Sequence, residues 1–277
     1  MPEGPEIRRA ADRLSEVLAG RVAERVVFHW PALAEWGPRL SGRRIERIDT
    51  HGKAMLTRFA GGWTLYSHNQ LYGRWQVQAD HRPPDSPRSL RLELHCAAGA
   101  AFLYSATDLA VLDAAGLAGH PFLRRAGPDV LHEATTEATI AARLTEARFR
   151  RRRLGGLLTD QRWLAGLGNY LRCEILFMAG LHPRQRPADL DAAALARLAR
   201  AIHALPRQSY QSGGITHDLT AARALLAAGA DFETARFWVF RRAGQPCHRC
   251  ATPIVREMHG GQACYLCPRC QPAAGGP

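Results

Sequence analysis

The sequence predicts an α+β chain in three parts: an N-terminal antiparallel β-sandwich with flanking helices, a helical middle, and a C-terminal cysteine-bearing ribbon. Three observations predict it. Short runs of alternating or β-branched residues, broken by Gly, Pro and Asp, fill the stretch up to about residue 112. Ala/Leu-rich segments at helical spacing follow. Five of the seven cysteines then crowd into the last 31 residues.

In chain order, Ile7, Ala10, Ala11, Leu14, Val17 and Leu18 recur at helical spacing between Pro5 and Gly20, with proline at the start and glycine at the end. "RVVFHW", "RRIERIDT", "AMLTRFA", "WTLYSH", "GRWQVQ", "LRLELHC" and "AFLYSA" then read as strands, and "DHRPPDSPRS" (80–89) as a loop between two of them. So many short strands at this spacing favour a sandwich or barrel. Residues 119–133 have the Gly/Pro content of a linker, and helices are expected over 135–147, 153–165, 169–180 and 189–204. Residues 213–235 are glycine-punctuated and ambiguous, and "RFWVFRRAGQPC" resumes strand character. The resulting division is a sandwich domain over 1–120, a linker over 121–134, a helical domain over 135–235 and a ribbon over 236–277.

No run of about 18 apolar residues is present to span a membrane. Charges recur through the first 30 residues where a signal peptide needs an apolar core. A cytoplasmic protein is expected. The net charge of +12 and pI near 10.1 point to a polyanionic partner, or to a solvated basic surface. Of the 37 basic residues only Lys53 is lysine. Arginine serves almost every surface and phosphate role, but lysine alone of the two readily gives up its proton to act as base or nucleophile. Lys53 is therefore a candidate for chemistry, against chance survival.

"CHRC" (247–250) and "CPRC" (267–270) form a C-x2-C, 16-residue, C-x2-C pattern. Two such turns offer four thiolates to one tetrahedral Zn²⁺, a closed and hence structural site on Cys247, Cys250, Cys267 and Cys270. Cys264, Cys96 and Cys173 fall outside the pattern and read as buried fillers. Arg249, Arg256 and Arg269 give the ribbon a basic surface.

The opening "MPEGPE" has two readings. Gly4 and Pro5 start a helix whose dipole Glu3 and Glu6 complement. Alternatively, removal of Met1 leaves Pro2 with a free secondary amine that titrates near 8, lower beside a helix N-terminus, and able to attack an electrophilic carbon with Glu3 shuttling protons. Residues 67–73, "SHNQLYG", place amide, aliphatic and aromatic groups in succession on a tight loop; alone they read as a hairpin with partly buried Leu71 and Tyr72. Asn169, in "LAGLGNYLRCEIL", stands where a helix N-cap belongs, and a cap and a phosphate ligand are equally compatible with it. The run Arg150 to Arg153 reads as a solvated face.

"MPEGPEIRRAADRL", "GKAMLTRF", "LYSHNQLYG", "HPFLRRAGPDVL", "DQRWLAGLGNYLRCEIL" and the two CxxC pairs come, in this order, as they do in the formamidopyrimidine-DNA glycosylase family. The chain resembles that family from residue 1 to about 271, and its endonuclease VIII branch in particular. The resemblance implies a monomeric bifunctional glycosylase and abasic-site lyase acting on duplex DNA. The helical part would be a helix–two-turns–helix domain, with DNA in a cleft between the halves. It implies Pro2 as Schiff-base nucleophile, Glu3 as proton donor and Lys53 as the catalytic lysine. Gln70, Leu71 and Tyr72 would fill the hole left by an everted base, and Arg125 and Asn169 would contact DNA. The contiguous triplet implies oxidised pyrimidine as the main substrate. The family pattern has an arginine five residues before the third zinc cysteine. Here Gln262 stands there, able to donate a hydrogen bond but no charge, which leaves the extent of δ-elimination open. An oxidised-purine glycosylase and a catalytically silent zinc-ribbon DNA binder are the alternatives.

Overall fold

Glu3, in extended backbone, caps helix α1 (Gly4–Leu18), and Glu6 accepts the Glu3 backbone N–H at 3.0 Å to close a capping box. The 3.6-residue stripe Ile7, Ala11, Leu14 and Leu18 is almost wholly buried. The computed structural model describes residues 2–273 and divides into two units, Met1–Arg125 and Ala126–Pro277.

The first unit holds eight of the strands: β1 (Arg25–Phe28), β2 (Ile45–His51), β3 (Ala54–Phe59), β4 (Trp63–His68), β5 (Arg74–Gln78), β6 (Leu90–Cys96), β7 (Gly99–Tyr104) and β8 (Asp108–Leu112). They form two four-stranded antiparallel sheets, β1-β6-β7-β5 and β2-β3-β4-β8. One core takes Val26, Leu92, Leu94 and Leu103 from the first sheet, Ile45, Met55, Phe59 and Leu65 from the second, and the buried stripe of α1. This is a sandwich with the helix packed into its core. A one-turn helix α2 (Trp36–Leu40) follows β1. Two short helices, α3 (Ala114–Gly119) and α4 (Pro121–Arg125), cover the outer face of the second sheet through Leu117, Phe122 and Leu123.

The second unit is built on α5 (Glu137–Thr145), α6 (Leu154–Leu157), α7 (Asn169–Ala179) and α8 (Ala192–Gln211), then α9 (Leu219–Ala227), α10 (Phe232–Arg236) and a hairpin of β9 (Val255–His259) with β10 (Gln262–Leu266). Helix α7 is buried on nearly every side and ends at Gly180 in the left-handed region (φ 69°). Thr136, Asp191, Asp218 and Asp231 cap four of the helices with side-chain oxygens.

Three expectations need correction. Over 153–165 only Leu154–Leu157 is helical. Beyond it Asp160 accepts the Arg162 N–H, and the Gln161 amide bridges Leu167 O and Gly166 N, so side chains supply the backbone partners that a helix would have supplied. Helix α8 runs past residue 204 and through Pro206, because Leu205, Pro206 and Ser209 continue its buried face. Residues 236–247 form no strand. The backbone N–H groups of Trp238, Val239 and Phe240 instead reach the carboxylate of Glu174 on α7, at 2.8, 2.9 and 2.9 Å.

Glu174 is fully buried, and the Thr216 hydroxyl donates to it at 2.6 Å. Burial raises its pKa, and these four donors counter part of the rise. Glu174→Ala strands three buried N–H groups, so it should lower the unfolding free energy by about 3 kcal/mol or more. Calorimetry of the variant against wild type reads this directly; an unchanged transition would mean that the segment is held by packing alone.

Candidate functional site

The capped end of α1 brings the first candidates together. Glu3 is 2% exposed, and Pro2 and Glu6 line a cavity of about 450 Å³ between α1 and β5. Lys53 sits on the tight turn from β2 to β3 and is 8% exposed. Burial pulls its pKa below the ordinary lysine value, while Glu3 first and then Glu6 pull it partly back. A buried amine beside two acidic side chains, near the chain's N-terminus, is an arrangement for moving protons.

The loop between β4 and β5 borders the same cavity through Asn69 and Gly73. Its turn is closed by the Gly73 N–H donating to the Asn69 carbonyl at 2.7 Å. A Cβ at residue 73 would lie 2.6 Å from Asn69 backbone atoms, so only glycine fits. Gln70 takes a left-handed φ of 48°. Leu71 and Tyr72, at 56% and 67% exposure, stand out from the tip. Large apolar side chains held outward on a closed turn are the opposite of the partly buried hairpin that the bare sequence allows.

His68, at the end of β4, escapes sequence reasoning. It is half-buried, its Nδ1 accepts the Gln70 N–H at 3.1 Å, and its ring meets Phe122 edge-on at 5.5 Å. Burial lowers its pKa, with Asp108 opposing and Lys53 reinforcing. The one available signal is its position at a strand end, immediately before the loop. Arg125 is the last residue of α4, with its Nε donating to Pro121 O at 2.8 Å.

In the second unit Asn169 is not the N-cap. Gly168 holds that position, and Asn169 is the first helical residue, its Oδ1 accepting from Arg172 Nη2 at 2.5 Å. Arg172 is the other residue that the sequence hides. Fully buried, it donates to Gly155 O and His259 O at 2.9 Å each and to Ala263 O at 3.1 Å. It thereby ties α7 to the β9–β10 hairpin, where Gln262 is exposed at the first position of β10. The Arg172 Nη2 that reaches Asn169 also lies 3.5 Å from the Gln262 backbone carbonyl, so one guanidinium joins the two residues. Of the arginine run, Arg152 pairs with Asp160, while Arg150, Arg151 and Arg153 are exposed.

The four ribbon sulfurs lie within 4.8 Å of one another, with Sγ–Sγ distances of 3.9 Å (247–270), 3.4 Å (250–267) and 3.6 Å (250–270). Tetrahedral zinc at about 2.3 Å from each sulfur needs edges of about 3.8 Å, so the residues fit the ion. Backbone N–H groups of Arg249 and Cys270 point at Cys247 and Cys267 sulfur, as thiolates require. The site holds one structural Zn²⁺. Cys96 is buried in the core of the first unit, and Cys173 and Cys264 are buried in the apolar cluster beside the four ligands.

Three family models match the chain: the formamidopyrimidine-DNA glycosylase N-terminal domain over residues 1–114, the H2TH domain of the same enzymes over 126–220, and the zinc finger found in FPG and IleRS over 244–273. Endonuclease 8 of Klebsiella pneumoniae is 46% identical over 271 residues, covering 98% of this chain and 100% of its own length. The chain belongs to the formamidopyrimidine-DNA glycosylase family, in its endonuclease 8 branch. This glycosylase is 44% identical to Endonuclease 8 of Escherichia coli over the same span. Membership makes it a bifunctional DNA glycosylase and abasic-site lyase of base excision repair. Among solved structures, MutM (Fpg) from Thermus thermophilus matches with a TM-score of 0.79 at 28% identity, covering 98% of each chain. A MutM complex with DNA containing carbocyclic 8-oxo-G matches with 0.80 at 20% identity, covering 98% of this chain and all of that one, which speaks to the fold alone. Among the described residues no helix of the glycosylase is long and apolar enough to cross a membrane.

Proposed function

We propose that this glycosylase excises oxidised pyrimidines from duplex DNA and nicks the strand through an N-terminal proline Schiff base. The observation that carries the reading is the meeting of Pro2, Glu3 and buried Lys53 at the head of α1, beside a loop that presents Leu71 and Tyr72 outward.

With Met1 removed, the Pro2 nitrogen is a secondary amine next to the positive end of α1, which disfavours its protonation. Its lone pair attacks C1′ of the deoxyribose. The glycosidic bond breaks, the base departs with a proton routed through Glu3, and the ring opens to a C1′ iminium. The iminium acidifies the C2′ proton. Its removal, assisted by Lys53, expels the 3′ phosphate by β-elimination, and a second elimination at the 5′ side completes the cut. A target nucleotide inside the stack is out of reach, so it must be everted at a cost of about a few kcal/mol. Leu71 is the wedge that fills the vacated space, flanked by Gln70 and Tyr72.

Arg125 and Asn169 supply phosphate contacts, on the first unit and on the first turn of α7 respectively. Gln262 makes a weaker and less salt-dependent contact than arginine would. In this reading residues 1–120 carry the chemistry, 121–134 connect, 135–235 and 236–277 hold the duplex, and the chain works as a monomer in the bacterial cytoplasm on nucleoid DNA.

The competing reading is an oxidised-purine glycosylase on the same fold, against which stands the 46% identity to Endonuclease 8 over 98% of the chain. Cleavage of matched duplexes carrying thymine glycol or 8-oxoguanine separates the two: kcat/KM should favour thymine glycol by at least about tenfold. A preference for 8-oxoguanine would overturn the substrate assignment.

A further inference from the structure

The outward loop is braced from outside itself. Arg88, in the loop joining β5 to β6, donates through Nη1 to the Tyr72 carbonyl at 2.7 Å. The Thr107 hydroxyl donates to Gln70 Oε1 at 2.5 Å, and His68 receives the Gln70 N–H. A glutamine at φ 48° is a strained conformation that persists only where its surroundings over-determine it.

The segment that carries Arg88 is itself anchored. Tyr104 donates its hydroxyl to Pro84 O at 2.9 Å. His81, also at left-handed φ (61°), meets His95 of β6 with near-parallel rings and Nδ1 atoms 3.4 Å apart, so one ring donates and the other accepts. His95 in turn holds Glu93 through Nε2 at 2.7 Å. Pro83, Pro84 and Pro87 restrict the backbone between these anchors and Arg88. Residues 79–89 therefore form a strut from the first sheet to the loop rather than slack chain.

We propose that Arg88 is a positioning residue, holding the 69–73 loop in its inserting conformation before DNA arrives. The inference rests on the reading of Leu71 as the wedge. Ordering a loop during binding opposes association, and a loop ordered in advance avoids that penalty. The bond holds backbone, not a side chain that reacts, so its influence falls on base eversion and hole filling and leaves the bond-breaking steps alone. Only a duplex has a hole to fill.

The experiment compares wild type, R88A, R88K and L71A on one thymine glycol sequence, as duplex and as single strand, with 2-aminopurine opposite the lesion to report insertion. R88A should lose about fivefold in kcat/KM on the duplex, the effect of one solvent-exposed hydrogen bond to a carbonyl. Its single-strand rate should match wild type, its fluorescence rise should slow, R88K should recover part of the loss, and its melting temperature should stay put. L71A should lower the duplex-to-single-strand ratio further. If L71A lowers that ratio and R88A does not, the strut is refuted while the wedge stands. If L71A leaves the ratio unchanged, the wedge reading fails and the strut with it. If R88A weakens both substrates alike and flattens the salt dependence of binding by about one unit, Arg88 is a phosphate contact and the proposal is wrong.

Discussion

Borohydride traps wild-type protein on DNA that carries an abasic site or an oxidised pyrimidine, and Pro2→Gly reduces the trapped species by on the order of 10²-fold or more. The reduction freezes an iminium as a stable amine, so it reports the covalent bond itself rather than strand cleavage by any other route. Glycine leaves an amine at the same place in the chain but removes the pyrrolidine ring that makes the nitrogen secondary and restricts its orientation relative to α1. A nucleophile released from its near-attack position forfeits the advantage of orientation, which is worth many orders of magnitude in well-aligned systems. Glu3 and Lys53 are held by the capping box and the β2–β3 turn, so the variant should fold and melt as wild type does. Intact mass of an active wild-type preparation should lack Met1. Equal trapping by Pro2→Gly, or full activity with Met1 attached, would remove Pro2 from the chemistry.

Lys53 and the loop were legible for different reasons than the residues that support them. Lys53 stands out because the chain is otherwise arginine, and the loop's place shows as a short motif between two clear strands. Its residues alone read as partly buried, where Leu71 and Tyr72 are in fact exposed. The strands themselves announce their period and their breaks. Arg172 and Arg88 are each one of 36 arginines, and nothing local distinguishes them. What they do depends on carbonyls 87 and 16 residues away in sequence. Glu174 is hidden for the same reason: its four donors come from Thr216 and from residues 238–240, and its acceptance of three N–H groups is also why "RFWVF" is not a strand. The helix expected over 153–165 failed because Asp160 and Gln161 satisfy the backbone from their side chains. Periodicity reports which face is apolar; it carries no information on a polar side chain that substitutes for a ladder.

Loss of zinc should propagate well beyond the ribbon. The buried apolar cluster around the metal is small: Val239, Ile254, Phe177 of α7 and the cysteines themselves, with Trp238, Phe240 and Tyr265 partly buried against it. Such a module depends on the metal for folding, with structural zinc contributing roughly 10–16 kcal/mol of apparent binding energy at neutral pH. Cys247→Ser replaces a thiolate by a hydroxyl that binds zinc poorly, so bound zinc should fall from one equivalent toward none. The β9–β10 hairpin runs directly into Cys267 and will loosen with it. Arg172 then loses the carbonyls of His259 and Ala263 while remaining buried on the α7 side, and an under-satisfied buried guanidinium is strongly destabilising. Asn169 shares that guanidinium, so its contact surface is disturbed along with that of Gln262. Duplex affinity should drop by on the order of 10- to 100-fold as phosphate contacts are lost. The group of Pro2, Glu3 and Lys53 belongs to the first unit, so borohydride trapping at saturating protein should persist. Zinc content, duplex affinity and trapping measured on one preparation test the whole chain of consequence. Zinc lost with duplex affinity unchanged would take the ribbon out of DNA recognition, and trapping lost with the zinc would mean that the chemistry needs the second unit in place.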